Sequence, residues 1–370
     1  MRVYWYWPHP HRSVNPVAQA ITRAGHEMLV HSLAGYGGEL IEGSVGYPIR
    51  RSLPDPVVRG LPPTRLARRL VLPARRSAQR REVLRTGFDV AHLETLTYEI
   101  DAFDLPRLAR RYPIVARVHD VLPHARRMPV TVQDALWRRV YRSGVELVVD
   151  HPVLAEHLAS EFSVPRDHIH VVPLPVPERR HVPHPEGSRF SLLFFGALRP
   201  NKGLGVLLEA LSMVSSDDVE LVIAGAGHPS QEALARDAAH TRPNVIAEIG
   251  QVSEQRKWEL LARCDAVVMP YKAFASQSGV LLDAYAAGRP VLATDVGALG
   301  PTVRDDRTGE VAPAGDAAGM AEVLTAMIAR PRGGYAAALA EAASARRPQV
   351  VADHLLASYS RAIERVKGGC

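Results

Sequence analysis

Cysteine is nearly absent. Only Cys264 and Cys370 occur in 370 residues. Two cysteines make no disulfide framework, and their separation fits no zinc site. A reducing cytoplasm is the expected compartment. Long apolar runs are lacking as well: nothing approaches the roughly 20 residues that span a bilayer, and the N-terminus does not read as a signal peptide. No Asp-x-Asp pair falls at the end of an expected strand, and Asp217-Asp218 and Asp305-Asp306 read as turn acids. Acids are in slight deficit, 39 Asp and Glu against 45 Lys and Arg, giving a net charge of +6 and a pI near 9.5. That balance points to an acidic partner such as a nucleotide, an anionic lipid or a nucleic acid. Nucleic acid is the weakest of these, because no aromatic interleaving or known module accompanies the arginines. The remaining composition, 46% hydrophobic and 23% charged, is that of an ordinary globular protein, and the length suits two domains.

The most informative stretch is Ser276 to Thr294. A polar turn, Ser276-Gln277-Ser278-Gly279, opens an apolar helical run from Val280 to Ala287. Gly288 suits the left-handed position that ends a helix, and Val291-Leu292-Ala293 reads as a strand. Such a unit presents free N–H groups and the positive end of a helix dipole to an anion. Asp283 lies about one turn further in, on the face of the same mouth. Phosphates on the amides and ribose hydroxyls on the carboxylate would suit this arrangement. An ordinary capped helix explains the same residues equally well.

The first half begins strand, loop, helix, strand: Arg2 to Trp7, the loop PHPHRSVNP, a helix to about Arg23, and a strand to Leu33. That order starts a parallel α/β domain, which binds ligands at strand carboxyl ends. His9, His11 and Asn15 are therefore acceptor-side candidates, although surface-loop histidines usually do nothing specific. Arg65 to Arg85 holds eight arginines against one acid, Glu82, with Leu and Val interleaved. It could rest on an anionic membrane, or it could be a solvated arginine-rich face. Phe88 to Leu93, Pro113 to Val118, Val145 to Val149 and His168 to Pro173 read as strands, and Leu105 to Arg111 as a helix. His92 and His119 both fall at strand ends, where a histidine can bind a hydroxyl or move a proton. Each could instead be a satisfied structural histidine, a reading that leads for His92.

Pro173 to Arg189, with five prolines in seventeen residues, is the best linker. Beyond it the α/β rhythm restarts with Phe190 to Phe195. Arg199 and Lys202 sit in the following glycine-flanked loop, where a guanidinium fork and a mobile ammonium suit a diphosphate. A final helical stretch, Val351 to Lys367, could pack back across the linker. The expected domains are 1–180, 181–350 and a terminal helix at 351–370.

In order and spacing, FFGALRPNKG, LVIAGAG, CDAVVMPY and SGVLLDAYAAGRPVLATDVGALGPTVRDDRTGEVAPAGD resemble family 4 glycosyltransferases of the GT-B fold. RVHDVLPH resembles that family's histidine-bearing strand end. The resemblance implies two Rossmann-like domains facing a cleft, the first for an acceptor and the second for a nucleotide diphosphate sugar. Arg199 and Lys202 match the family's phosphate-binding pair, and Asp283 matches the second, ribose-binding acid of its Glu-x7-Glu motif. The first acid of that motif is replaced by Ala275, which leaves sugar choice open. Gly196, Ser276, Gln277, Ser278, Gly279 and Val280 fall on the donor side by the same match. Gln251 and Val252 fall beside the base, and His119 falls at the sugar. The implied reaction is retaining, hexosyl-type and metal-independent, with no cofactor beyond the sugar nucleotide. Its acceptor would be a small molecule or a lipid-linked one, in glycan or secondary-metabolite biosynthesis. The implied location is cytoplasmic, with peripheral contact at the inner membrane face left open through Arg65 to Arg85. A catalytically silent sugar-nucleotide-binding protein is the alternative, motivated by Ala275. An epimerase on a similar fold would need more acids and cations than can be placed.

Overall fold

A computed structural model describes residues 1–7, 15–33, 47–52, 87–121, 129–178, 189–215, 217–273 and 277–368. His9, His11, Ala275, Ser276, the arginine-rich stretch 65–85 and most of the expected linker lie outside the described residues. The chain divides into two compact units. Unit 1 is Met1–Pro175 with Pro348–Cys370, and unit 2 is Val176–Arg347.

Unit 1 begins with β1 (Arg2–Tyr6), α1 (Asn15–Arg23), β2 (Glu27–Leu33), β3 (Ile49–Ser52) and β4 (Val90–Leu93). It continues with α2 (Tyr98–Leu108), β5 (Ile114–Arg117), α3 (Val130–Tyr141), β6 (Glu146–Val149), α4 (Pro152–Phe162) and β7 (Ile169–Val171). The strands form one sheet in the order β3-β2-β1-β4-β5-β6-β7, and each pair of neighbours is parallel. β4, β5 and β6 are buried along their whole length, as a sheet covered on both faces requires.

α2 departs from the sequence reading, which placed a helix at Leu105 to Arg111. It starts seven residues earlier, and Pro106 lies in its last turn. A proline there leaves the carbonyl four residues back without its helical donor. Arg139 Nε fills that vacancy, donating to Ala102 O at 2.6 Å. The start of the helix is fixed by Asp101, whose carboxylate accepts the Thr97 N–H. Both partners come from outside the span that looked helical.

Unit 2 contains β8 (Phe190–Phe195), α5 (Leu204–Leu211), β9 (Val219–Gly225), α6 (Pro229–Thr241), β10 (Val245–Ile249), α7 (Glu254–Arg263) and β11 (Ala266–Met269). After these come α8 (Gly279–Ala287), β12 (Val291–Thr294), α9 (Leu299–Asp306), β13 (Gly309–Ala312), α10 (Ala317–Ile328) and α11 (Ala336–Ala345). The six strands run β10-β9-β8-β11-β12-β13, again all parallel. Strand order reverses between β8 and β11, the point at which open parallel sheets take ligands. Gly288 closes α8 at φ 67, and the Arg289 N–H returns to Ala284 O at 2.9 Å.

The last helix, α12 (Pro348–Gly368), belongs to unit 1. Val351, Ala352, Leu355, Tyr359 and Ala362 pack into a core with Val3, Trp5, Val17, Ile21 and Val30. No helix among the described residues is long and apolar enough to cross a membrane.

Candidate active site

In unit 2 the carboxyl ends of β8 and β11 are stitched together by their loops. Gly203 takes φ 75, and a Cβ there would lie 1.7 Å from Pro270 O, so only glycine allows this approach. The Lys272 N–H donates to Asn201 O at 2.9 Å. This seam places Lys202 Nζ 3.5 Å from the centre of the Tyr271 ring, a cation–π distance. The Tyr271 hydroxyl lies 3.2 Å from Ser278 Oγ. Lys202, Tyr271 and Ser278 thus form one connected series from the β8 loop to the start of α8. Burial, and then the Arg199 guanidinium, lower the Lys202 pKa to about 8.

The first turn of α8 is arranged as an anion site. Ser278 is its N-cap, but the serine side chain makes no capping bond. The Leu281 and Leu282 N–H groups return to Ser278 O at 3.0 and 3.4 Å. Gly279 and Val280 precede the first intrahelical donors, so their N–H groups point out of the helix end. Gly196, at φ 109, lies beside this turn: a Cβ there would sit 3.5 Å from Val280 Cγ2.

Two expected donor residues carry partners that the sequence reading missed. Asp283 Oδ1 accepts from Lys257 Nζ of α7 at 3.0 Å, and both side chains are about five-sixths buried, at 16% and 15% exposure. Gln277 donates through Nε2 to Thr302 Oγ1 of α9, while its buried Oε1 has no hydrogen-bond partner. Gln251 and Val252 follow Gly250 at the end of β10, where Gly250 takes φ 156 and its N–H reaches Gly225 O at 2.9 Å. Among the described residues no group of three or more His, Cys, Asp or Glu side chains is arranged to hold a metal.

Unit 1 holds a different kind of site. His119, just past β5, is 40% exposed, whereas Glu94, just past β4, is 3% exposed. His119 Nε2 lies 2.9 Å from Glu94 O and 3.5 Å from Glu94 Oε1. The Glu94 carboxylate also receives Trp5 Nε1 at 3.1 Å, and His92 Nε2 and Arg117 Nε lie 3.0 and 3.3 Å from it. Arg117 Nη1 in turn donates to Asp150 Oδ1 at 2.5 Å. Burial pushes the Glu94 carboxyl upward, but the Arg117 charge and the two histidine bonds outweigh it and hold it well below the usual carboxylate range. Burial pulls His119 down, yet the Glu94 bond and charge, with Asp150 behind them, keep it raised.

The expectation of an acceptor-side contact at His92 is corrected. His92 is fully buried, stacks on Trp5 at 4.5 Å, and shares a hydrogen bond with the Tyr359 hydroxyl of α12 at 2.7 Å. Burial lowers its pKa, so it is a neutral core residue that no dissolved sugar reaches. Asn15, the first residue of α1, accepts a hydrogen bond from the Tyr47 hydroxyl.

Two parallel α/β units, each with its polar groups gathered at strand carboxyl ends, define a GT-B glycosyltransferase fold. The chain belongs to glycosyltransferase family 4: the model described as Glycosyltransferase Family 4 matches residues 11–180, and that described as Glycosyl transferases group 1 matches residues 189–330. A phosphatidyl-myo-inositol mannosyltransferase of Mycobacterium leprae is 36% identical over 174 residues, covering 46% of each chain. A D-inositol 3-phosphate glycosyltransferase of Arthrobacter is 30% identical over 246 residues, covering 61% of this chain and 58% of the relative. The chain thus spans about half the length of the curated relatives it matches. Among solved structures, Anabaena HepE in complex with UDP aligns with a TM-score of 0.68 at 14% identity, covering 97% of this chain and 100% of that one. The lipopolysaccharide outer core galactosyltransferase WaaB aligns at 0.71 and 14% identity, covering 97% and 99%.

Proposed function

We propose that this chain transfers a glycosyl group from a nucleotide diphosphate sugar to an acceptor hydroxyl with retention of configuration. The observation that carries the reading is the series Lys202–Tyr271–Ser278 ending on the open first turn of α8. It offers a cation, and beside it unpaired amides, to a group with two negative phosphates. Arg199, Lys202 and the Gly279 and Val280 amides would take up charge as the bond from the anomeric carbon to the diphosphate oxygen breaks. Such fixed donors do what a bound metal otherwise does, so the reaction is proposed to need neither metal nor cofactor. Asp283 is proposed to bind the ribose, Gln251 and Val252 to flank the base, and Ser276, Gln277 and Gly196 to complete the donor side. His119 is proposed to act on the transfer itself rather than on the nucleotide.

The names of the relatives favour an inositol-containing or other polyol acceptor, small or lipid-linked. A lipid-linked acceptor would suit contact between the stretch Arg65 to Arg85 and anionic headgroups from the cytoplasmic side. His9, His11 and Asn15 remain proposed acceptor-side residues.

One observation favours a silent binding protein: Ala275 stands where the family's first acid falls, and the Gln277 amide nitrogen is committed to Thr302. Acceptor-dependent release of nucleoside diphosphate separates the two. A panel of nucleotide sugars and polyol acceptors in excess EDTA should yield release for one pairing, with product in the donor's anomeric configuration. Tight nucleotide binding with no release for any pairing would establish the silent reading. Release abolished by EDTA and restored by magnesium or manganese would overturn metal independence.

A further inference from the structure

Five ionisable side chains converge behind the carboxyl ends of β4, β5 and β6: His92, Glu94, Arg117, His119 and Asp150. Tyr359 closes the group from α12. Taking charges out of water is expensive, and well-packed apolar residues in their place are often as stable or more so. A buried ionic cluster is therefore poorly explained by stability alone. Within this one, His119 is the member with substantial exposure, 40% for its side chain, whereas His92, Glu94, Arg117 and Asp150 are each at 3% or less.

The hydrogen bonds fix which nitrogen His119 offers. Its Nε2 faces Glu94 O and Glu94 Oε1. A carbonyl and an ionised carboxylate only accept, so Nε2 must carry a proton in the neutral ring. Nδ1 is then the nitrogen left for other chemistry. Behind Glu94, His92 Nε2 lies 3.0 Å from Glu94 Oε2, and His92 Nδ1 shares a 2.7 Å hydrogen bond with the Tyr359 hydroxyl. Trp5 Nε1 donates to Oε2 at 3.1 Å, and Arg117 Nε lies 3.3 Å from Oε1. The Glu94 carboxylate is thus buried beside a cation, an indole N–H and the two histidines.

We propose that Glu94 is a positioning residue for His119: it holds Nε2–H inward, fixes the ring, and leaves Nδ1 as the atom presented to the reacting sugar. Tyr359 of α12 reaches Glu94 through His92 of β4, so the returning helix serves the site as well as the core. This inference rests on the proposed glycosyl transfer, since it assigns Glu94 a part in that reaction.

The groups facing His119 are His92 of β4 and Glu94 just past it, Arg117 of β5, and Asp150 just past β6. The Tyr98 and Tyr141 hydroxyls of α2 and α3 lie on the neighbouring Asp120 carbonyl. Burial lowers the histidine pKa, and the Glu94 bond and charge more than offset it. Removing the Glu94 charge should therefore move the His119 midpoint down, and any limb of the pH–rate profile that follows His119 should move down with it.

The test is ¹⁵N NMR of the histidine rings across pH, on the wild-type chain and on Glu94→Gln. In the wild type, neutral His119 should be the Nε2–H tautomer with a midpoint above that of an ordinary histidine. This measurement needs no variant to fold. An Nδ1–H tautomer would overturn the proposal. In Glu94→Gln the midpoint should fall, the limb of the kcat profile should shift to lower pH, and kcat should drop about 10–100-fold, the size of loss seen when outer-shell partners of ligating histidines are removed. Nucleotide Kd should stay within about twofold. An unmoved midpoint, or a moved midpoint with an unmoved pH–rate limb, would contradict the positioning role. If the wild type turns over no nucleotide sugar at all, the proposed transfer has failed and this role falls with it, while the tautomer and midpoint still report whether Glu94 holds His119.

Discussion

The two units build their polar sites from opposite materials. Unit 2 uses backbone and reach: a glycine that lets two loops touch, a helix start with its amides outward, and a lysine lying on an aromatic face. Unit 1 uses a packed ionic cluster, sealed by Trp5 and Tyr359, with one histidine at its edge. The first design suits a ligand that brings its own charge, because the outward amides of α8 gain partners when an anion arrives. The second suits a group that must already be oriented, because its ion pairs are formed before any ligand comes. Under the proposed function, charge in unit 2 serves binding, whereas charge in unit 1 serves to hold a side chain still.

The sharpest way to break this comparison is His119→Ala. If unit 1 serves the transfer, kcat should fall by about 10²–10⁴, the usual worth of a positioned hydrogen-bonding or proton-transferring group, with Tm little changed because the ring is partly exposed. A parallel fall in Tm and nucleotide binding would mark His119 as structural. Next in size come Arg199→Ala and Lys202→Ala. Each removes a charge-assisted contact worth about 1.5–3 kcal/mol, so nucleoside diphosphate Kd should rise about 10–100-fold while nucleoside Kd stays within about twofold. Equal losses for nucleoside and diphosphate would assign these residues to the fold instead.

A smaller effect follows from pH. The Lys202 pKa is lowered to about 8 by burial and then Arg199, so its charge is present below that pH and is lost above it. Diphosphate affinity should therefore weaken as pH rises through about 8, and this dependence should vanish in Lys202→Ala. A dependence that persists in the alanine variant would place the titrating group elsewhere. The smallest effect separates the two contacts of Tyr271. Tyr271→Phe keeps the ring under Lys202 and should change diphosphate Kd by about twofold. Tyr271→Leu removes the cation–π contact, worth roughly 0.5–1 kcal/mol, and should cost about twofold to fivefold more. Indistinguishable variants would mean that the ring does not position the lysine.

How far each site was legible in the sequence follows from the same contrast. The unit 2 site is assembled from short contiguous stretches, 196–203, 250–252 and 277–283, so glycine placement and charge spacing reveal it. The missed residues there, Tyr271, Lys257 and Thr302, act through partners 7, 26 and 25 positions away, and local pattern carries no such pairing. Unit 1 is assembled across four elements, and Glu94 was overlooked altogether. A signal for it exists. His92 and Glu94 are two residues apart at one strand end, and Arg117 and His119 repeat that spacing at the next. Residues two apart share a face of the sheet, and the pairing of Leu93 with Ala116 sets Glu94 beside Arg117. Strand order supplies that adjacency, and strand order is a property of the whole fold. Most of the α/β rhythm was legible; β3, inside a glycine- and proline-rich stretch that reads as loops, was not, and remote partners decided an end where Arg139 and Asp101 do for α2.

The central claim, that unit 2 binds the diphosphate and unit 1 works on the transfer, comes down to one calorimetric comparison. Nucleoside diphosphate Kd should be measured on Lys202→Ala and His119→Ala side by side with the wild type. The account predicts a rise of about 10–100-fold for Lys202→Ala and no change beyond about twofold for His119→Ala. Equal weakening in both variants, or weakening confined to His119→Ala, would contradict it.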